Sequence, residues 1–480
     1  MTNLLLSVSP LLFVVILSAW FRRPAFIVAW YGVALVGVLV LVCSFLRAEP
    51  RLIFLGCSAA ALITLQAALV IGPGLLLNLL LDRAKAHEAL VEWVRRIPMD
   101  PSHKRLMVVV GIAPALESLT GFGVSLLVTV PLLLAASERR VALRQALLSM
   151  NIMPWGTLGL ATAVGAQLSG QSVNALGFST SLVSIAVFPL FGMLVGLQAT
   201  QREERRRACR DGIFLGCVLS LSLVTLNRMG VVELAGILAG LASALTCLLL
   251  FCREVRAMVP PWRAVQPYAV VLSLVALIRA LPFLGVPTKD WSIEAGGVHF
   301  APLASPALAL LIAIGILAHG QDVRRLLQET CNRAVKPILA LGGFTLMAQM
   351  MAASGMIRTI GNALPIAHPV ELGAMSSLLG AVSGYLTGSN VGGNALMMNM
   401  QASLASDALP QRALSAIQNS TAGHAVFASM PIILLVLAIA GREEKSEESA
   451  LVRFGLKTML LTVALQALTS VALITLAALG

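Results

Sequence analysis

Twelve apolar blocks, near 3–20, 25–46, 52–80, 142–163, 177–198, 213–226, 230–252, 266–285, 303–320, 337–354, 411–441 and 455–479, punctuate this chain. Crossing the ~30 Å hydrocarbon layer takes roughly 20 helical residues, and most of these blocks are long enough. Apolar residues make up 58% of the 480 and charged residues 12%, against about 45–50% and about 25% in an ordinary soluble domain. A soluble fold is thereby excluded. The expectation is an all-α polytopic membrane protein with about 12 transmembrane helices, since a helix satisfies its own backbone in lipid.

Two further blocks, 106–136 and 371–400, do not fit as single spans. Each is about 30 residues long and carries polar and glycine residues at its middle, "ESLTGFG" in one and "TGSNVGGN" in the other. Irregular backbone at membrane depth is tolerated only inside protein or beside a water-filled cavity. Both blocks therefore predict re-entrant helical hairpins, two half-helices meeting at a polar tip. With that reading, 27 of the 34 Lys and Arg residues fall in loops on one face, the densest being "QREERRRACR" at 201–210. The positive-inside rule makes that face cytoplasmic and both termini external. The net charge of +12 is then membrane topology and calls for no nucleic acid.

The hairpins enter from opposite faces, and the sequence carries a trace of that symmetry. "PALESLTGFG" (114–123) lies over "AVSGYLTGSN" (381–390), sharing Leu-Thr-Gly. Each is followed by a span holding an asparagine, Asn151 in "NIMPWGTLG" and Asn419 in "NSTAGHAVFASMP". The expected organisation is a first inverted repeat over 1–200, a connecting helical pair over 201–265 and a second inverted repeat over 266–480. Discontinuous helices in two opposed repeats are the mark of a secondary transporter with a midplane site. The seven cysteines form no CxxC or Cys/His cluster, so no metal, disulfide or cofactor is expected. The first block ends in "WFRRP" without a small-residue cleavage site, so no cleavable leader is expected either.

A helix that begins inside the membrane points unpaired N–H groups and a positive dipole end at whatever lies there, which suits an anion. Thr120, Gly121, Phe122, Gly123 and Ser125 at one tip, and Thr387, Gly388, Ser389, Asn390 and Asn394 at the other, are the candidate binding residues, with Asn151, Asn419, Ser420 and Thr421 from the following spans. Burying a carboxylate costs several kcal/mol, and each hydrogen bond to it returns about 1.5–3 kcal/mol, so roughly three to five converging donors are needed. Only a small anion suits so compact a set. Glu117 and His424, ionisable at membrane depth, are candidates for proton coupling. The plainer readings are close helix packing for the glycines, a helix cap for Glu117 and a packed core side chain for His424. A membrane-embedded enzyme or a sensor is the alternative class, but no nucleophile motif or signalling domain accompanies these residues.

These stretches resemble the lactate permease family, which includes bacterial lactate and glycolate permeases. "ESLTGFGVSLLVTVPLLLA" is similar to that family's Glu-Gly-Ala-Ala-Gly-Phe-Gly hairpin, and "NIMPWGTLGL" to its Asn-Thr-Ala-Pro-Val-Ala-Phe-Gly segment. In the second half "TGSNVGGNALMMNMQ" resembles Thr-Gly-Ser-Asp-Thr-Ser-Ser-Asn-Ala-Leu, and "VRFGLKTMLL" the closing Phe-Arg-Phe-x-x-Lys. The resemblance implies import of lactate or glycolate with a proton (Na+ being the alternative) across the bacterial cytoplasmic membrane. Another small organic anion, or outward movement, is the runner-up, and a homodimer is among the assemblies left open. Carried over by position, Glu117, Gly121, Phe122, Gly123, Asn151, Pro154, Gly388, Ser389, Asn394, Asn419 and Gly423 match. Two positions depart: Asn390 stands where the family has an aspartate and Phe427 where it has a lysine, which reads as a lost charge pair in a divergent member.

Overall fold

A computed structural model describes residues 2–199, 202–288, 290–363, 368–406, 409–441 and 445–479. Helices account for nearly all of it; the exception is a small β-hairpin, Ile293–Ala295 against Val298–Phe300, turned by Gly296 and Gly297.

The chain opens with three apolar helices, α1 (Thr2–Ala19), α2 (Ala25–Val42) and α3 (Pro50–Arg83), followed by a short α4 (Ala86–Arg96). Next, α5 (Pro101–Met107) widens into a π turn over Val108–Ile112 and continues as α6 (Ala113–Thr120). Pro114 has no N–H for the carbonyl four residues back and its ring crowds that carbonyl, which accounts for the widened turn just ahead of it. Gly121, Phe122 and Gly123 all take positive φ (69°, 55° and 75°) and end the helix. After this break α7 (Ser125–Ala136) packs back along the π turn and α5.

Then come α8 (Arg139–Leu148), an unwound stretch over 150–156, and α9 (Leu160–Ser169). The helices α10 (Val173–Val183) and α11 (Val187–Gly196) are bent by 42°. Between the halves lie α12 (Arg202–Arg228) and α13 (Val232–Phe251). Gly192 and Gly196 of α11 face Gly212 and Ala208 of α12, small residues that let the two backbones touch. The second half holds α14 (Trp262–Ala280), α15 (Pro306–Leu317), α16 (Val323–Ala353), α17 (Met356–Ala363), α18 (Pro369–Thr387) and α19 (Asn390–Ser403). It closes with α20 (Gln411–Ala425), α21 (Met430–Ala440) and α22 (Lys445–Leu479).

Among the described residues, 9 helices or helix runs are long and apolar enough to cross a membrane, or 10 if the bent α10–α11 pair is one span. The protein is thus an all-α polytopic membrane protein with fewer such spans than the 12 expected. Two blocks account for the difference between 12 and 10, and the bent pair for the step to 9. The block at 142–163 is not one helix, because Pro154 and Gly156 (φ 61°) sit in its unwound middle. The block at 303–320 yields only the 12 residues of α15, about 18 Å of helix and too short to cross.

Both long polar blocks fold as helix, glycine break, antiparallel helix. At the second, Gln401 Nε2 of α19 donates to the Ser376 carbonyl of α18 at 2.9 Å, each eleven residues from the helix end that meets the break. The leading arms are longer than half-helices, however: α18 alone has 19 residues, about 28 Å. Only the trailing arms, with 12 and 14 residues, have the expected half-span length.

Candidate functional site

The glycine breaks of the two hairpins line one cavity of about 620 Å³. Gly121, Phe122, Gly123 and Glu117 come from the first, and Thr387, Gly388, Ser389 and Asn390 from the second. Gly156, Thr157 and Ala161, from the unwound stretch and the start of α9, complete the polar side. Apart from Arg333 and Lys336, the remaining wall is apolar, with Phe26 of α2, Ile71 and Leu75 of α3, and Leu341 and Phe344 of α16 among its members. Gly121 is required where it stands: its φ is +69°, and a Cβ there would collide with Thr157 Oγ1. At Gly388 (φ +66°) a Cβ would press on the Pro431 ring.

The two breaks differ in what occupies the helix start that follows. Glu117 is completely buried, and its carboxylate accepts from the Gly123 N–H at 3.0 Å and from Ser125 Oγ at 2.7 Å. The first turn of α7 thus meets a carboxylate from the chain itself. No ion pair of Glu117 is found among the described residues. At the second break the cap of α19 is neutral. Ser389 Oγ accepts from the Gly392 N–H at 3.5 Å, a long contact, and the remaining N–H groups of that first turn have no partner within the helix.

Behind the second break lies an amide cluster. Asn390 and Asn394 both donate to Asn419 Oδ1, at 2.9 and 2.7 Å. Asn390 also donates to the Pro154 carbonyl at 3.1 Å and Asn394 to the Ala161 carbonyl at 3.0 Å. Asn419 Nδ2 in turn donates to Thr162 and Thr180. Every amide hydrogen of Asn390 and Asn394 is therefore used, which fixes both amide orientations. Their Oδ1 atoms are buried and lack a partner among the described residues.

The other candidates lie away from the cavity surface. Thr120 Oγ1 donates to the Leu116 carbonyl and Thr421 Oγ1 to the Ile417 carbonyl, each within its own helix. Asn151 Nδ2 donates to the Val109 and Leu148 carbonyls, joining the unwound stretch to the π turn. Ser420 bonds Ser184 and Gln466. His424 is buried with both ring nitrogens unpartnered, its ring against the edges of Phe188 and Phe191. Phe427 stacks edge-on against Phe191 at 5.4 Å between centroids. Asn390 and Phe427 have different neighbours, so the structure does not bring the two departures together as a pair.

Two charged cavity residues escaped the sequence reading: Arg333 and Lys336, 10 and 13 residues into the 31-residue α16. They had counted only as basic loop charge. Their three-residue spacing just ahead of Pro337, on a helix that reaches Phe344, was the available signal. With Glu117 they are the charged residues among those that line the cavity.

Interrupted helices meeting at an internal cavity in a polytopic helical membrane protein are an arrangement that secondary transporters share. Residues 282–477, which include the second hairpin but not the first, match the family model for L-lactate permease. An L-lactate permease from Streptococcus iniae is 24% identical over 340 residues, covering 63% of this chain and 71% of that protein. Over its second half the chain is thus similar to the lactate permease family.

Proposed function

We propose that this protein carries a small monocarboxylate such as lactate or glycolate, together with a proton, across the bacterial cytoplasmic membrane. The observation that carries the reading is the shared cavity, where one helix start is satisfied by Glu117 and the other is open to an external anion. The substrate carboxylate would sit at the start of α19, against Ser389 and the free N–H groups of that turn. Glu117 would load the proton. In its ionised form it has two hydrogen bonds, each worth about 1.5–3 kcal/mol, against a burial cost of several kcal/mol. An anion moving with one proton carries no net charge and avoids the ~2.3 kcal/mol that a 100 mV potential imposes per charge.

Opposed hairpins support the alternating-access side of this reading. The first hairpin closes beside Arg139, which donates to the Ala440 carbonyl at the C-terminal end of α21. The second has its base near the other end of the α20–α21 run, where Gln411 donates to the Ser169 carbonyl and lines a pocket with Ser403. Sodium coupling is the second reading, favoured by the unpartnered amide oxygens of Asn390 and Asn394. Uptake of labelled lactate and glycolate into proteoliposomes, driven in turn by a pH gradient and by a sodium gradient, tests both. Accumulation under the pH gradient alone supports proton symport, accumulation only with sodium supports the second reading, and no uptake of either acid overturns both.

A further inference from the structure

We propose that Arg333 and Lys336 form a second anion station at the mouth of the cavity, separate from the one at the start of α19. Both side chains line the cavity, three residues apart and so on one face of α16. Neither makes an ion pair among the described residues. Arg325, two turns earlier on the same helix, pairs with Glu329 at 3.5 Å, and Glu329 also faces Arg83 at 3.8 Å. Basic side chains at a membrane edge ordinarily find such a partner or reach for lipid and water. These two are exposed and also line a cavity whose one lining acid, Glu117, is already hydrogen-bonded by its own hairpin.

Distance makes the station a second one. Phe344 lines the inner part of the same cavity, 8 residues beyond Lys336 and 11 beyond Arg333, which is roughly 12–17 Å along the helix. Physiological salt screens charges over about 8 Å, so cations at the mouth cannot hold a carboxylate at the floor. They act on an anion passing through the opening, raising its local concentration there. We place the mouth on the basic side of the protein, since Pro24 and Phe26, which follow Arg22 and Arg23, line the same cavity. The station therefore serves the cytoplasmic passage of the anion. This inference rests on the carboxylate reading for its ligand, but its charge effect can be read without any transport.

The test uses the full chain with its native cysteines removed and Ser389→Cys as a reporter beyond the mouth. Anionic and cationic methanethiosulfonate reagents of similar size are compared for their rates of reaction with that thiol. Adding Arg333→Gln and Lys336→Gln should lower the ratio of anionic to cationic rates by about tenfold, and Arg333→Lys with Lys336→Arg should restore it. In the background with Ser389 intact, lactate counterflow measured from each side should show a several-fold rise in the half-saturating concentration on the mouth side alone. An unchanged reagent ratio overturns the station whether or not lactate is transported. A changed ratio with no lactate counterflow in the unmutated protein supports the station and instead sinks the monocarboxylate reading. Equal rises on both sides of the membrane overturn it in favour of a general effect on the carrier.

Discussion

The two glycine breaks share Leu-Thr-Gly and face one cavity, yet they present opposite electrostatics. The first closes on itself: Glu117 reaches across three positive-φ residues and accepts from Gly123 and Ser125. The second turns within Gly388 and Ser389 and offers a helix start capped only by a hydroxyl at 3.5 Å. A shared motif thus yields one helix start that meets a carboxylate of the chain and one that meets only a hydroxyl. The difference lies in residue 117, three before the shared threonine, where the second hairpin has Gly384. Gly384 packs on the α20 backbone at Ala422, where a side chain would have no room.

The sharpest way to break this comparison is Glu117→Gln, which keeps an acceptor for the Gly123 N–H but carries no proton. Accumulation driven by a pH gradient in proteoliposomes should fall to background, while lactate counterflow persists. Accumulation at the unmutated level would leave Glu117 as a helix cap only.

A smaller effect separates the two tips as anion sites. Ser389→Ala removes a cap and a substrate hydrogen bond to a charged group, worth about 1.5–3 kcal/mol, so the half-saturating lactate concentration should rise at least about tenfold. Thr120→Ala, whose hydroxyl is spent on the Leu116 carbonyl, should change it less than about twofold. Equal effects would mean that the anion does not choose between the breaks.

Thiol labelling sharpens the same contrast. Ser389 is partly exposed and lines the cavity, whereas Ser125 is completely buried behind Glu117. A cysteine introduced at position 389 should therefore react with a small reagent at least about tenfold faster than one at position 125, because reactivity follows access. Comparable rates would show that the first hairpin opens as freely as the second.

The smallest expected effect concerns Asn390 and Phe427. Because one bonds the unwound stretch and the other packs on Phe191, Asn390→Asp and Phe427→Lys should each impair transport. Together they should combine within about 0.5 kcal/mol of additivity. Recovery in the double variant would reinstate them as a communicating pair.

What the sequence made legible was whatever breaks a helix inside an apolar run. Gly121, Gly123 and Gly388 marked both hairpin tips, and Pro154 with Gly156 marked a loosened helix, because each disrupts a helix by local geometry. Which polar side chains reach the cavity was not legible, since that depends on partners far along the chain. Asn394 and Asn419 looked like ligands for a substrate but spend their amides on Ala161, Thr162 and Thr180, more than 230 positions from their partners in sequence. Arg333 and Lys336 were hidden for the opposite reason: in a hydropathy reading cations just ahead of an apolar block belong to a loop, whereas the structure places them well inside a long helix that lines the cavity.

The amide cluster also has a mechanical consequence. Asn390 grips the carbonyl of Pro154 and Asn394 that of Ala161, so the tip of the second hairpin is bolted to the unwound stretch and to the start of α9. If that hairpin is displaced during a cycle, it must drag residues 154–161 along or shear both of its buried hydrogen bonds to them. Such a joint behaves as one moving part made from both halves of the chain. Any hinge has to lie outside it, and the three positive-φ residues 121–123, which this cluster does not hold, offer a place for the chain to bend.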